Sequence, residues 1–347
     1  MSLDEFLAEW NNSSETMLVH TSGSTGQPKP MLVEKRRMLA SARRTNDFLG
    51  LKQGDTALLC MSLDYIAGKM MVVRALERGL RLITVNPSGH PLSAQFYPLS
   101  AQFYPLSAQF YPLTSHLSPL TSYIDFAAMV PLQVYNSLQV PEECERLRQI
   151  KHLIIGGGAI DEALADALKD FPHNVWSTYG MTETLSHIAL RRLNGSEATE
   201  WYTPFPSVEV SLSDDGCLII HAPEVCAQTL PTNDIAELRS DGRFRILGRK
   251  DNTICSGGIK IQAEQLERQL CGHLRVPYLI SSRPDEKFGE IVVLLTEGSV
   301  DEAREVCQRI LPRYHQPRHY VHVDHIPLTA TGKPARQQAK QLCLINM

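Results

Sequence analysis

The fold is decided by the stretch Thr21-Ser22-Gly23-Ser24-Thr25-Gly26-Gln27-Pro28-Lys29. Its glycines let backbone N–H groups approach an anion closely, its hydroxyls add hydrogen-bond donors, and Lys29 adds positive charge. The apolar residues 16–20 before it predict a strand that leads into this loop. The pattern predicts a phosphate-binding loop, and the alternative is a flexible turn rich in serine and glycine. A Walker A loop is excluded, because Gly26 is followed by Gln-Pro-Lys instead of lysine and a hydroxyl residue.

Length and composition describe a globular chain with no global affinity for nucleic acid. The 347 residues suffice for two or three domains, and the net charge is −4,. The eight cysteines include no C-x-x-C pair, which argues against a zinc site and for a reduced, cytoplasmic protein,. The first residues lack a basic segment before an apolar one, so we expect no signal peptide. No apolar run approaches the ~20 residues of a membrane span.

Apolar periodicity predicts alternating strands and helices downstream of the loop. A further strand is predicted over 31–33, and others over 55–61, 80–85, 152–155 and 174–177. Helices are predicted over 34–49, 65–78, 123–138 (with Pro131 inside it), 141–149 and 161–169. This alternation predicts an α/β layer with parallel strands.

The character of the chain changes twice after this α/β region. Short strands and Asp-Gly turns over 187–247 predict a smaller β-rich subdomain,. A compact α+β unit follows, with strands predicted over 259–261, 278–281, 291–295 and 319–323 and helices over 263–270 and 301–310. We therefore predict a large α/β N-terminal domain, residues 1–249, and a small α+β C-terminal domain, residues 250–347.

A repeat of seven residues interrupts the α/β pattern. Pro-Leu-Ser-Ala-Gln-Phe-Tyr occurs at 91–97, 98–104 and 105–111, and degenerate copies extend to residue 122. A coiled coil is excluded, because a proline in each heptad breaks a helix. The region 91–122 is interpreted as a duplicated loop insertion, and a docking loop is the alternative.

Two later segments carry residues suited to a nucleotide. Gly157, Gly158 and Ala159 follow a buried strand and would let adenine lie on the backbone; the alternative is a plain strand-to-helix turn. In the segment 178–184, Tyr179 can stack on a base, Thr182 can bond a phosphate, and Glu183 can hold Mg²⁺,. The alternative is a tight turn whose glutamate begins a helix.

With the 21–29 loop, these segments resemble the adenylate-forming superfamily of acyl- and aryl-CoA synthetases, luciferases and peptide-synthetase adenylation domains, in the same order and over residues 15–340. The resemblance implies that Thr182 and Glu183 are catalytic, with Glu183 the Mg²⁺ ligand. It implies that ATP or AMP is bound by Thr21, Ser22, Gly23, Ser24, Thr25, Gly26, Lys29, Gly157, Gly158, Ala159, Thr178, Tyr179, Gly180, Met181, Asp234 and Arg249. Asp234 and Arg249 match the ribose-binding pair, although Asn233 replaces the family's preceding glycine.

The C-terminal part resembles the family's mobile domain. Asp251 matches the hinge, and Ser256, Gly257 and Gly258 match the segment that meets coenzyme A. Lys333 matches the mobile catalytic lysine, which would stabilise charge at the α-phosphate. The resemblance implies a ligase that uses ATP, Mg²⁺ and coenzyme A, with a small carboxylic acid as substrate; a homodimer is left open.

The substrate is indicated by two short segments. Residues 128–134 and 186–191 resemble 2-succinylbenzoate–CoA ligases of menaquinone synthesis, whose substrate carries two carboxylates. Donors for the second carboxylate are sought among Tyr65, Lys69, His187 and Arg191, with Tyr65 at the position of a family histidine. Two alternatives stay open: an adenylation domain that loads a carrier protein, which Asp64 faintly suggests, and a non-catalytic nucleotide-binding relative. Twenty residues precede the phosphate loop, fewer than in most relatives.

Overall fold

The structure is a computed structural model that describes residues 1–20, 29–93, 123–329 and 333–345. Its helices are α1 (Leu3–Asn11), α2 (Lys35–Leu49), α3 (Ile66–Arg78), α4 (Pro131–Gln139), α5 (Pro141–Arg148), α6 (Glu162–Leu168), α7 (Ala263–Leu270), α8 (Val300–Ile310) and α9 (Arg336–Ile345). Its strands are β1 (Thr16–His20), β2 (Pro30–Glu34), β3 (Thr56–Leu59), β4 (Arg81–Thr84), β5 (Phe126–Met129), β6 (His152–Ile155), β7 (Asn174–Gly180), β8 (His187–Arg192), β9 (Thr203–Pro204), β10 (Glu209–Leu212), β11 (Cys217–His221), β12 (Leu230–Leu238), β13 (Phe244–Arg249), β14 (Thr253–Ser256), β15 (Ile259–Gln262), β16 (Tyr278–Asp285), β17 (Gly289–Thr296) and β18 (His319–His322).

The largest sheet has the strand order β4-β3-β5-β6-β7-β8-β9. The strands from β4 to β7 are parallel, and β8 and β9 extend the sheet in the antiparallel sense. Parallel strands are typically covered by helices on both faces, and their residues are correspondingly apolar. The predicted α/β layer with parallel strands is confirmed.

Alternate residues of the central strands belong to two different cores. Ala57 and Leu59 of β3 pack into a core with Met38 of α2 and Met70 of α3. Leu58 points to the opposite face, into a core that includes residues of α4, α5 and α6. The two-residue period of a strand thus divides the apolar residues between two helical layers.

The predicted helix over 123–138 is wrong in its first half. Residues 126–129 form β5, and the helix begins only at Pro131. Proline lacks an N–H and clashes with the preceding turn, so the first helical turn tolerates it and the interior does not. The apolar residues before Pro131 pair in parallel with β6, where they are buried.

The described residues also form three smaller sheets. β1 and β2 form an antiparallel pair, and β10 to β13 form a four-stranded antiparallel sheet. β8 and β9 belong to the large sheet, so the separate β-rich part begins at β10 and not near residue 187. The remaining sheet, β15-β14-β17-β16 with β18 beside β17, is packed with α7, α8 and α9 on its two faces. The predicted combination of an α/β part, a β-rich part and an α+β part is confirmed.

The described residues also bear on cysteine pairing, metal sites and membrane spans. All eight cysteines are free thiols. Within the described ranges, no cluster of three His, Cys, Asp or Glu side chains forms a metal site, and no helix is long and apolar enough to cross a membrane. Residues 94–122 of the repeat insertion lie outside the described residues.

Candidate active site

The predicted phosphate loop closes an antiparallel hairpin. His20 of β1 pairs with Pro30 of β2, so residues 21–29 connect the two strand ends. Thr21, Ser22, Gly23, Ser24, Thr25 and Gly26 lie outside the described residues. Lys29 is described and exposed at the end of the loop.

The predicted ribose-binding residues form a hydrogen-bonded cluster with Tyr179. Asp234 of β12 and Arg249 of β13 are opposite each other in the ladder, with 3.1 Å between Arg249 Nη1 and Asp234 Oδ1. The Tyr179 hydroxyl donates to Asp234 Oδ2 at 2.6 Å. Burial, followed by the Asp234 charge, raises the pKa of Tyr179, so its phenol stays protonated. Each oxygen of Asp234 retains a lone pair for a further donor.

The predicted adenine segments meet at the carboxyl ends of neighbouring strands. The 156–158 segment leaves β6, and Thr178 lies on the parallel strand β7. A Cβ on Gly156 would lie 2.3 Å from Thr178 Oγ1, and Gly157 has φ +81°, so both positions favour glycine,. The carboxyl edge of a parallel sheet is where α/β proteins typically bind ligands.

The turn after β7 is tightly folded. Residues 182–184 form one 3₁₀ turn, and Thr184 Oγ1 donates to Ser186 O at 2.7 Å. A Cβ on Gly180 would lie 2.2 Å from the same carbonyl oxygen. Leu185 has φ +65° and is the only non-glycine residue in the described ranges with a positive φ. Strained backbone of this kind is concentrated at functional sites.

Thr182 is buried in this turn and Glu183 is partly exposed. A single carboxylate fits Mg²⁺ when substrate phosphates supply the other oxygens, because Mg²⁺ seldom uses an all-protein cage. Glu183 therefore has suitable chemistry for the predicted metal ligand.

Lys333 lies beside the Asp234–Arg249 pair. Its pKa is lowered first by burial and then by the positive charge of Arg249, while Asp234 opposes this shift. The lysine loop is closed at its base, since Thr329 N donates to Lys333 O at 2.7 Å and Lys333 N donates to Thr329 Oγ1 at 3.1 Å. The structure thus brings together predicted residues from positions 179, 234, 249 and 333.

Asp251, the predicted hinge residue, is held by two residues of the ribose strands. Its carboxylate accepts from Arg249 Nη2 at 3.0 Å and from Asn233 Nδ2 at 3.2 Å. Asn233, which departs from the family glycine, thereby gains a contact that glycine could not make. The predicted coenzyme A segment lies elsewhere, at the tip of the β14–β15 hairpin, where Gly257 and Gly258 have φ +57° and +83°.

Sequence reasoning did not select Arg74, the most unusual charged residue beside this site. Arg74 lies on α3, is 2% exposed, and donates through Nη2 to Ser186 Oγ at 2.6 Å. Ser186 Oγ is 3.2 Å from His187 Nδ1, and His187 Nε2 is 3.0 Å from Thr45 Oγ1. The signal that could have identified it is its position in an otherwise apolar helical run, residues 70–76, whose neighbouring side chains are of types usually found in a core,.

No carboxylate of the described residues forms an ion pair with Arg74. Its Nε has no hydrogen-bond partner within the described residues, and burial alone lowers its pKa to about 9. Arg44 is the neighbouring cation; its Nε and Nη2 have no hydrogen-bond partner within the described residues, and its Nε lies 3.9 Å from Glu224 Oε2. Burial and then the charges of Arg74 and Arg44 hold the pKa of His187 well below its ordinary value, so this imidazole is neutral. The cluster therefore carries the uncompensated positive charge of Arg74 and is suited to an anion.

The other three predicted acyl-site residues have different surroundings. Tyr65 is the N-cap of α3. Lys69 is buried against α1, with Nζ 5.7 Å from the centre of the Phe6 ring. Arg191 lies over the Tyr202 ring and donates to Thr199 O at 3.0 Å. Of the four candidates, His187 is the one that lies in the Arg74 cluster.

Comparison with known proteins assigns the chain to a family. The model of the AMP-binding enzyme family matches residues 6–223, which is more than half of the chain. The chain belongs to the AMP-binding enzyme family. The predicted class of adenylate-forming enzyme, an AMP-forming acid–thiol ligase, is confirmed at the level of this family.

Relatives of this AMP-binding enzyme include curated and solved proteins. It is 24% identical over 373 residues to the 2-succinylbenzoate–CoA ligase of Listeria monocytogenes, covering 97% of this chain and 72% of the relative. It is 31% identical to an AMP-forming acyl-CoA synthetase/AMP-acid ligase II-like protein from Dyadobacter fermentans, with TM-score 0.61 and coverage of 96% and 92%. The fold is also that of O-succinylbenzoate coenzyme A synthetase (MenE) from Bacillus subtilis, solved with ATP and magnesium (TM-score 0.72, 21% identity, coverage 92% and 69%).

Proposed function

We propose that this AMP-binding enzyme is an ATP-dependent carboxylate–CoA ligase whose acid carries a second carboxylate, with 2-succinylbenzoate as the best candidate. The observation that carries the substrate class is the buried Arg74, which has no carboxylate partner among the described residues and contacts Ser186 next to the Thr182–Thr184 turn. A buried unpaired cation costs free energy, and an anionic ligand would offset that cost. The curated relatives named for this acid support the same choice.

The adenylation step follows from the positions of the nucleotide-site residues. Asp234 and Arg249 would hold the ribose, and Lys333, beside them, would approach the α-phosphate. The carboxylate of the acid attacks the α-phosphorus, the bond to the β-phosphate oxygen breaks, and pyrophosphate leaves. Lys333 would stabilise the negative charge that develops on the α-phosphate oxygens.

Glu183 would hold Mg²⁺ together with phosphate oxygens, and the metal would supply charge neutralisation on the departing pyrophosphate. Thr182, buried in the same turn, would donate to the α-phosphate. These residues position charge and carry out no covalent chemistry themselves.

Coenzyme A would then take the acyl group. Its thiolate attacks the acyl carbon of the mixed anhydride, the bond to the phosphate oxygen breaks, and AMP leaves with the thioester as product. The C-terminal part would rotate about Asp251 to present the 256–258 turn, since such hinges absorb large dihedral changes at few residues.

The test is a pyrophosphate-release screen over mono- and dicarboxylic acids and amino acids, with and without coenzyme A. We expect release with 2-succinylbenzoate and thioester formation only when coenzyme A is present. Release driven by amino acids would instead favour a carrier-loading domain. ATP binding without turnover on any acid would contradict the ligase proposal.

The structure also bears on the amino-acid alternative. Asp64, the residue that suggested it, is largely exposed, and its Oδ2 accepts from the Ser62 hydroxyl at 2.8 Å. A surface carboxylate of this kind differs from a buried acidic group that would bind a substrate amine, which favours the ligase.

A further inference from the structure

The start of α9 is fixed by a forked ion pair. Arg336, three residues after Lys333, donates to both carboxylate oxygens of Glu267 on α7, at 2.7 Å from Nη2 and 3.1 Å from Nη1. Nη1 is also 3.1 Å from Ile280 O, and Glu267 Oε1 accepts from Ile280 N at 2.9 Å. Two parallel charge-assisted bonds fix the direction of a side chain as well as its position.

Only a few residues separate Lys333 from Arg336, so the ion pair of Arg336 also restricts the position of the Lys333 backbone. Ala335 N donates to Pro327 O at 2.8 Å, and Lys333 is bonded to Thr329 through both its N–H and its carbonyl. The backbone on each side of the lysine is therefore tied, and a displacement of Arg336 would move the lysine backbone with it.

Helix α7, which carries Glu267, also contacts the strand that ends in the ribose-binding arginine. Arg268 Nη2 donates to Leu247 O at 2.5 Å, and Gln262 Nε2, just before α7, donates to Arg249 O at 2.8 Å. One helix is thus bonded both to β13 and to the residue that follows the lysine loop.

We propose that Arg336, through Glu267, is a positioning residue that sets Lys333 beside the Asp234–Arg249 pair for the adenylation step. The inference rests on the proposed function, which gives Lys333 its role at the α-phosphate. It goes further in assigning the placement of that lysine to one ion pair. The pair acts on adenylation and not on thioester formation, because only the first step uses Lys333.

The chain offers a matched control on the same helix. Lys340 ties α9 to Glu290 of β17 at 3.1 Å, but it lies a further turn away from Lys333. The apolar attachment of α9, through Ala339 and Cys343, is untouched by a change at either position. Arg336→Met and Lys340→Met each remove a cation that pairs α9 with a glutamate of the C-terminal part, a largely buried pair at Arg336 and a half-exposed one at Lys340, and they differ in their link to Lys333.

The experiment measures the two half-reactions of the full chain separately: ATP–pyrophosphate exchange with the acid that the wild type uses, and thioester formation from synthetic acyl-adenylate with coenzyme A. We expect Arg336→Met to lower exchange about 100-fold, the size expected for a small misplacement of a catalytic group. Thioester formation should stay within about threefold of wild type, and Lys340→Met should change neither rate. Adding Arg336→Met to Lys333→Ala should cause no further loss of exchange, because the positioned group is already absent.

A second readout does not depend on activity. Hydrogen exchange of the Lys333 and Ala335 amides should become at least about tenfold faster in Arg336→Met and stay unchanged in Lys340→Met. Equal effects of the two variants on exchange kinetics or on amide protection would overturn the proposal, as would an equal loss of both half-reactions in Arg336→Met. Failure of the proposed function is a different result, namely no pyrophosphate exchange by the wild type with any acid.

Discussion

Arg74 and Lys333 are the two cations on which the proposed chemistry depends, and their surroundings differ. Lys333 has the Asp234 carboxylate nearby, whereas Arg74 is buried and has no carboxylate partner in the part of the chain that the structure describes. Lys333 is placed to stabilise negative charge that develops during the reaction. Arg74 is placed to bind a negative charge that the substrate already carries.

Arg74→Met should therefore separate stability from function. In the absence of acid we expect the free energy of unfolding to rise by about 1–3 kcal/mol, because an unpaired buried charge is replaced by an apolar side chain. The KM for the diacid should rise about 10- to 100-fold, since hydrogen bonds to charged groups contribute about 1.5–3 kcal/mol. Urea unfolding and steady-state kinetics measure the two effects.

Arg78→Met on the same helix is the control. Arg78 is paired with Asp47 at 2.5 Å near the surface. Its loss should lower stability slightly and leave the KM unchanged. A fall in stability for Arg74→Met, with an unaltered KM, would show that Arg74 is a structural residue and not a substrate contact.

Lys333→Ala should reduce adenylation about 100- to 1000-fold, the usual cost of removing a preorganised electrostatic donor. The ammonium form is the active one, and burial with Arg249 lowers the pKa of Lys333. Activity should consequently fall on the alkaline side at a lower pH than the ordinary lysine value, as the proton is lost. A pH–rate profile of pyrophosphate exchange tests this; in Lys333→Arg the residual activity should lack that alkaline limb. If the wild type and Lys333→Arg lose activity at the same alkaline pH, another group is responsible for that loss.

At the scale of elements, the site is assembled where β7 ends and the chain turns back into β8. The turn requires glycine at position 180, because a Cβ there would lie 2.2 Å from Ser186 O. The close approach places Ser186 next to Arg74 and the Thr182–Thr184 turn next to the carboxyl edge of the sheet.

Gly180→Ala should accordingly cost about 1–3 kcal/mol of stability through overpacking, and lower adenylation as the turn shifts. Gly158→Ala is a milder comparison, since its Cβ would lie 3.3 Å from the Pro131 ring. Thermal unfolding of both variants measures the difference. Equal losses would contradict the close approach described for Gly180.

The sequence predicted most of the central elements because their signals are local. The strand over 152–155 and the C-cap at Gly79, with φ +68°, follow from apolar runs and from glycine chemistry,. The segment 123–138 was not predicted correctly, because its apolar residues fit a buried strand and a buried helix equally, and sheet pairing decided between them. Arg74 was overlooked for a different reason: its apolar neighbours in 70–76 indicate a buried helix, but the sequence does not show which side chains would surround the arginine there.

At the scale of the whole molecule, α7 contacts both the C-terminal sheet and β13, one of the two ribose strands. Motif order along the chain indicated which residues meet ATP, but not that Arg249, Asp251 and Asn233 would be bonded to one another. Those bonds depend on the mutual placement of β12, β13 and the following turn, which local patterns do not encode.

Arg268→Ala should weaken this junction by removing the bond from Arg268 Nη2 to Leu247 O. We expect adenylation to fall several-fold, and thioester formation from preformed acyl-adenylate to stay unchanged, because only the first step needs this arrangement. The two half-reaction rates measure it. A selective loss of thioester formation would contradict the assignment of the observed arrangement to adenylation.

The central claim is that this AMP-binding enzyme adenylates an acid whose second carboxylate binds at Arg74. Its most direct test is the specificity constant of the wild type in ATP–pyrophosphate exchange for 2-succinylbenzoate and for the mono-amide that keeps the activated carboxylate. The account predicts exchange with the diacid and a constant about 10- to 100-fold lower for the mono-amide. Equal constants for the two acids, or no exchange with the diacid, would contradict it.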